Sequence, residues 1–165
     1  SLNEHMLQHG YHIYDYLQRV PAVFVKEGVF PQGRRLETEV RHIDFLPTLI
    51  QAFGLETSST GFDGSSYYEL MANGTGENRS IYLEARGGAQ ADKVFLIRGV
   101  RRGGRKLAYA PFEPTAPVEY YNLNDDPDQL DNLAEDNPTV LDELKNYYLE
   151  AIAQLGLTWP YDIEK

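Results

Sequence analysis

Apolar residues near the C-terminal end of the chain recur at a helical spacing. Leu141, Leu144, Tyr148, Ile152 and Leu155 lie three or four positions apart, which gathers them on one face of an α-helix. Asn137 is a good N-cap, Pro138 suits the first helical position and Gly156 marks the end. Upstream the period changes. Ile81–Ala85, Val94–Ile97, Lys106–Tyr109 and Glu119–Leu123 are short segments of strand composition. Gly103-Gly104, between the second and third, is a favoured two-residue hairpin turn. Three or four strands with short returns predict an antiparallel sheet, and the final helix is expected to pack on it.

The first half of the chain is less regular. A short helix is predicted through Tyr14–Gln18. Val20-Pro21-Ala22-Val23-Phe24-Val25 has the length and β-branched content of a buried strand. Ile43, Leu46, Ile50 and Phe53 return to helical spacing, with Asp44 as the expected cap, Pro47 in the first turn and Gly54 as the stop. Leu55–Ser66 is rich in Ser, Thr and Gly and reads as the main linker, followed by a short helix at Ser66–Met71. The tail Trp159-Pro160-Tyr161 is expected to dock on the body, and no internal repeat is visible.

Composition narrows the possibilities. The chain has 165 residues, enough for a domain with a real core, and 42% of them are hydrophobic. Its formal net charge is −10, and Arg101-Arg102 with Arg105-Lys106 is the one basic cluster, so nucleic-acid binding is not expected. The absence of cysteine excludes disulfides and thiolate chemistry within it. No apolar run reaches the roughly 18 residues of a membrane span. Ser1-Leu2-Asn3-Glu4 resembles neither an initiator nor a signal peptide and reads as the middle of a longer protein. The sequons at Asn73 and Asn78 have meaning only in a secreted eukaryotic protein, and the compartment is not set by the sequence.

The most specific string is Glu119-Tyr-Tyr-Asn-Leu-Asn-Asp-Asp-Pro-Asp-Gln-Leu-Asp-Asn-Leu-Ala134. A strand runs into an acidic turn, where Asn and Asp bond their own backbone and Pro127 fixes φ. Asn122, Asn124, Asp126 and Asp128 alternate like the start of a calcium loop. The sixth position, however, is Pro127 rather than Gly, and the twelfth is Leu133 rather than Glu.

This string resembles the pattern L-Y-D-L-x-x-D-P-x-E-x-x-N-L of sulfatases in the alkaline phosphatase superfamily. Three further segments are similar to that family, in its order. Glu4-His5…His9-Gly10…Tyr14…Arg19-Val20-Pro21 looks like its G-E-H-G…H/K-G…L-Y-E…R-V-P. Val40 to Leu49, with Asp44 and Pro47-Thr48-Leu49, is similar to its V-x-x-x-D-x-x-P-T-L-L, and Asp63-Gly64-Ser65-Ser66 to its D-G-x-S. The Arg98…Lys106 hairpin resembles its R-x-x-x-x-x-K strand pair.

The resemblance implies an α/β fragment of an alkaline phosphatase-like fold that ends in an α+β subdomain, an antiparallel sheet of about four strands packed by a C-terminal helix. Residues 1–60 would end the catalytic α/β domain and residues 61–165 would form the subdomain. It implies a sulfuric ester hydrolase that works through a covalent intermediate on formylglycine, with a divalent metal, usually Ca²⁺. Nucleophile and metal would both lie upstream of this chain, which alone would be inactive and bind none. The expected partners are a sulfate or phosphate ester substrate and the remainder of the catalytic domain. Phosphodiester or phosphonate monoester hydrolysis, or a noncatalytic interaction module, are the alternatives.

Site candidates follow from the same match. An active-site Lys or His in such enzymes contacts the ester oxygens and stabilises charge or protonates the leaving group. His9 is the nearest match, one residue out of register, and His12 is the other candidate. The spacing of His5 and His9 suits a helical metal pair, yet Met6 stands where a zinc protease needs Glu, and no nearby carboxylate completes a zinc set. Arg98 and Lys106 are expected to face each other across a hairpin, either as substrate contacts or as a solvated sheet face.

Overall fold

The computed structural model describes residues 12–56, 61–76, 78–86, 96–113 and 115–156. His5, His9, Val94, Phe95, part of the predicted linker and the Trp159–Tyr161 tail lie outside them. The chain divides into two compact units, one formed by residues 1–20 with 80–165 and the other by residues 21–79.

In the first unit, strands β1 (Ile81–Arg86), β2 (Leu96–Arg102), β3 (Arg105–Tyr109) and β4 (Glu119–Asn122) form one sheet in the order β1-β2-β3-β4. Every neighbouring pair is antiparallel. The sheet and its packing helix agree with the sequence prediction. At the β2–β3 turn Gly103 and Gly104 have φ of 59° and 75°, which only glycine adopts without strain and which matches the twist of a two-residue hairpin.

Register sorts the side chains onto two faces. Arg98 pairs with Tyr109, Val100 with Leu107 and Leu107 with Tyr120, so these residues share one face. Helix α4 (Pro138–Gln154) covers it with Leu144, Tyr148 and Ile152, as the apolar spacing required. Tyr148 meets Tyr109 edge-on at 5.4 Å between ring centroids, and the two hydroxyls are 2.9 Å apart. Asn137 precedes Pro138 as predicted, but its amide donates to the Leu133 carbonyl at 3.1 Å instead of capping the helix with its side chain. The opposite face carries Gly99, Arg101, Lys106, Ala108, Glu119 and Tyr121, and against it lies the segment that leads into the short helix α1 (Asp15–Gln18).

In the second unit α2 (Phe45–Ala52) and α3 (Tyr68–Asn73) occupy the predicted places. Asp44 does not cap α2 with its side chain. It closes a 3₁₀ turn over His42–Asp44 and is fully buried, and its carboxylate accepts hydrogen bonds from the Arg41 backbone and guanidinium and from the Ser65 backbone N–H at 2.8 Å. Thr48 extends the link, donating its hydroxyl to the Asp44 carbonyl and accepting the Tyr67 N–H at 2.9 Å. Gly64 packs so closely that a Cβ there would overlap the Ile43 carbonyl.

Val20–Val25 is not a strand. The segment has no regular secondary structure, no strand among the described residues pairs with it, and Val23 and Val25 are 83% and 88% exposed. Strand composition alone does not bury a segment that lacks a neighbour.

Gly64→Ala is expected to destabilise the chain by about 1–3 kcal/mol through overpacking. Gly61→Ala, where nothing lies within 4 Å, is expected to leave stability nearly unchanged. Urea unfolding midpoints of the two variants check the contrast.

Candidate functional site

Lys106 is the most constrained charge in the chain. It is the second residue of β3, and strand alternation turns it away from α4 toward the Ile13–Asp15 segment. The residue is 0% exposed. The ammonium donates to the Ile13 carbonyl, to Asp15 Oδ1 at 3.0 Å and to Gln129 Oε1 at 2.9 Å. Three donors meet three acceptors, so the buried charge is fully hydrogen-bonded. Arg101, the cross-strand partner of Lys106, donates to the other oxygen of Asp15.

Each acceptor is placed by its own local structure. Ile13 is buried, and its Cδ1 lies against Gly99, where any Cβ would displace it. Asp15 opens α1, where a carboxylate suits the helix N-terminus. Gln129 comes from the acidic turn and has φ of +56°, a left-handed conformation uncommon outside glycine. The turn holds it there. The Asp126 carboxylate accepts the N–H of Leu130 at 3.1 Å and of Asp131 at 3.0 Å, and the Gln129 N–H bonds the Asp126 carbonyl. Asn132 then ties the returning chain to β4 through the Tyr120 N–H and the Val118 carbonyl. The acidic string is therefore turn chemistry, and one product of the turn is the aim of Gln129.

His12 is half-buried at the start of this segment. Its ring stacks on Tyr14 with centroids 5.0 Å apart and planes 10° from parallel. Tyr14 lies edge-on to Tyr121 at 6.2 Å, and its hydroxyl donates to Glu119 Oε1 at 3.3 Å. Burial, and then the Glu119 charge, push the Tyr14 hydroxyl from 10.0 up to about 12. Burial outweighs the attraction of Asp15 at Lys106 and lowers its ammonium from 10.5 to about 8.

Arg98 and Lys106 do not face each other. The cross-strand partner of Arg98 is Tyr109 and that of Lys106 is Arg101, so the two cations lie on opposite faces of the sheet. The predicted hairpin was right, but its register offsets the pair by an odd number of positions. Arg98 donates from Nε to Glu84 Oε2 at 3.0 Å beside Tyr82. Burial works to raise the Glu84 carboxyl, but the Tyr82 hydroxyl and Arg98 outweigh it and hold the group below its ordinary range. Lys106 is enclosed rather than solvated. His9, three residues before His12, lies outside the described residues.

Among the described residues, no three His, Asp or Glu side chains converge as a metal site, and no helix is long and apolar enough to cross a membrane. Asp15 and Gln129 carry no mark in the sequence, and Arg101 stands out there only as part of the basic cluster. Asp15 is one acid among 25 Asp and Glu, and nothing in a Gln codes for a positive φ.

No family model matches the chain. An uncharacterised sulfatase of Schizosaccharomyces pombe is 36% identical over 66 residues, which cover 39% of this chain and 12% of that protein. Among solved structures, BT4656 in complex with its substrate D-glucosamine-2-N,6-O-disulfate superposes on 68% of this chain and 24% of its own, with TM-score 0.57 and 20% identity. BT1596, a 2-O GAG sulfatase, matches 72% of this chain and 27% of its own with the same TM-score and identity. The chain thus spans about a quarter of the length of these structures. The resemblance read from the sequence holds in three dimensions: the chain carries the fold of part of these sulfatase structures.

The Lys106 ammonium gives the chain a distinctive alkaline response. Between pH 8 and 10.5 the unfolded chain holds a proton that the folded chain has released, so this group makes stability rise with pH. The gain is at most about 1.4 kcal/mol per pH unit. Tyr14 acts in the opposite sense: its folded form keeps the proton longer, so its contribution is lost as pH rises from 10 to about 12. Stability is expected to climb above pH 8 and fall above pH 10. Lysine-ε ¹³C NMR is expected to show one of the five lysines titrating near pH 8. Five lysines all titrating above pH 10 would contradict the dominance of burial over Asp15 at Lys106.

Proposed function

We propose that this chain is the C-terminal portion of a sulfuric ester hydrolase. The observation that carries the reading is the likeness to the sulfatase fold over about 70% of the chain, in structures that include BT4656 with a sulfated sugar bound. A sulfated carbohydrate is accordingly the substrate class we favour.

In this reading residues 1–60 complete the catalytic α/β domain and residues 61–165 form the smaller subdomain at its edge. The formylglycine nucleophile and a divalent metal, Ca²⁺ being the expected ion, belong to parts of the enzyme outside this chain. When bound, the metal supplies positive charge at the ester oxygens. Among the described residues, no cluster of His, Asp and Glu would hold it.

The contribution of this chain is acid–base and positional. His9 is the first candidate to donate a proton to the leaving oxygen or to stabilise charge there, and His12 the second. Arg98, held by Glu84 on the helix-covered face, remains a candidate substrate contact only if the bound ester reaches that face. Lys106 has all three N–H groups engaged within the chain and serves the fold.

The test is hydrolysis by the full-length enzyme. It is expected to cleave 4-nitrophenyl sulfate and N,6-O-disulfated glucosamine, while the 165-residue chain alone releases no sulfate. Replacing the acid–base histidine, His9→Ala first and His12→Ala second, is expected to lower kcat by about 10²–10⁴-fold. A full-length protein that releases phosphate from esters but no sulfate would overturn the assignment.

A further inference from the structure

The buried ammonium joins three stretches of chain that share no secondary structure. β3 supplies Lys106, the acidic turn supplies Gln129, and the stretch just after the two candidate histidines supplies the Ile13 carbonyl and the Asp15 carboxylate. A second set of contacts runs parallel to it: Arg101 to Asp15, Tyr14 to Glu119, and Ile13 Cδ1 in the space left by Gly99. Hydrophobic contact alone would let this segment slide along the sheet. Charge-assisted hydrogen bonds to one carbonyl and one carboxylate fix its position, because each has a definite length and direction.

Nothing in the packing demands that β3 carry a charge at this point. Leu107 and Val100 fill the other face, and apolar residues in place of Lys106 and its side-chain partners together would bury at lower cost. Gln129 adds a second expense, a left-handed backbone held by the Asp126 turn. Both features serve the same atom.

We propose that Lys106, with Asp15 and Gln129, is a positioning latch that sets the segment beginning at His12 in the enzyme. Lys106 touches no substrate; it acts through the backbone at Ile13 and the stack of Tyr14 on His12. The proposal rests on the reading of that segment as the acid–base part of a sulfatase site. It also assigns a task to the acidic string from Asn124 to Asn132, since that turn delivers the third ligand of the ammonium.

Two variants of the full-length enzyme test the latch. Lys106→Met removes the node. Gln129→Gly removes one acceptor while suiting the positive φ, so it is expected to fold normally. A misplacement of about 1 Å costs on the order of a hundredfold in rate. We expect kcat to fall about a hundredfold in Lys106→Met and about tenfold in Gln129→Gly, with KM within about twofold of the parent. Tyr109→Phe, which loses a hydrogen bond on the helix-covered face, serves as the control and is expected to keep its kcat. In the 165-residue chain, the ring-proton shifts of His12 that arise from stacking on Tyr14 are expected to move toward random-coil values in Gln129→Gly and to stay in place in Tyr109→Phe. Loss of turnover in the histidine variants with unchanged kcat in Gln129→Gly overturns the latch alone. Full turnover in both His9→Ala and His12→Ala overturns the site reading, and the latch with it.

Discussion

One buried ammonium organises the larger of the two units. Burying a charge is unfavourable by several kcal/mol unless every donor finds an acceptor. Lys106 meets that condition only if three separate stretches of chain arrive together: the segment at Ile13–Asp15, strand β3 and the turn at Gln129. The requirement runs both ways. The sheet cannot accept the lysine without the N-terminal segment, and that segment is held in register by the lysine. Arg101 strengthens the dependence by sharing Asp15, which leaves that carboxylate between two cations.

The two faces of the sheet then perform different tasks. The face under α4 is an apolar core, closed by Tyr109, Leu144, Tyr148 and Ile152, and supplies most of the burial. The other face is polar at its centre and carries the segment that contains the candidate histidine. Alternation within each strand, combined with the β2–β3 register that pairs Arg98 with Tyr109 and Lys106 with Arg101, separates them. That is why Arg98 and Lys106, eight residues apart in the sequence and both cationic, have unrelated surroundings. One pairs with an acid beside the helix, and the other is enclosed with Asp15.

Much of this fold was legible from residue order. The helical period of Leu144, Tyr148 and Ile152, the Gly103-Gly104 turn and Pro138 each act locally, and each predicted the observed element. The failures share a cause. Val20–Val25 has strand composition, but a strand needs a neighbour, and none of the described residues provides one. Asp44 sits where a cap belongs, yet its carboxylate is taken by Arg41 and by the Ser65 N–H, 21 residues away. Register across the β2–β3 hairpin decided the fate of Arg98 and Lys106, and the Asp126 turn decided that of Gln129. The acidic string marked the fold correctly, while its contribution to the interior depended on contacts that sequence order does not display.

The account turns on whether the ammonium holds the segment. Amide hydrogen exchange reads this directly. The Leu17 and Arg19 N–H groups bond the carbonyls of Tyr14 and Asp15, so they report the order of the segment just beyond the node. If Lys106 is the anchor, these amides exchange on the same timescale as those of β3 in the parent chain, and at least tenfold faster than β3 in Gln129→Gly. Equal protection of the segment in parent and variant would contradict the central claim, since the apolar seat of Ile13 on Gly99 would then suffice to hold it.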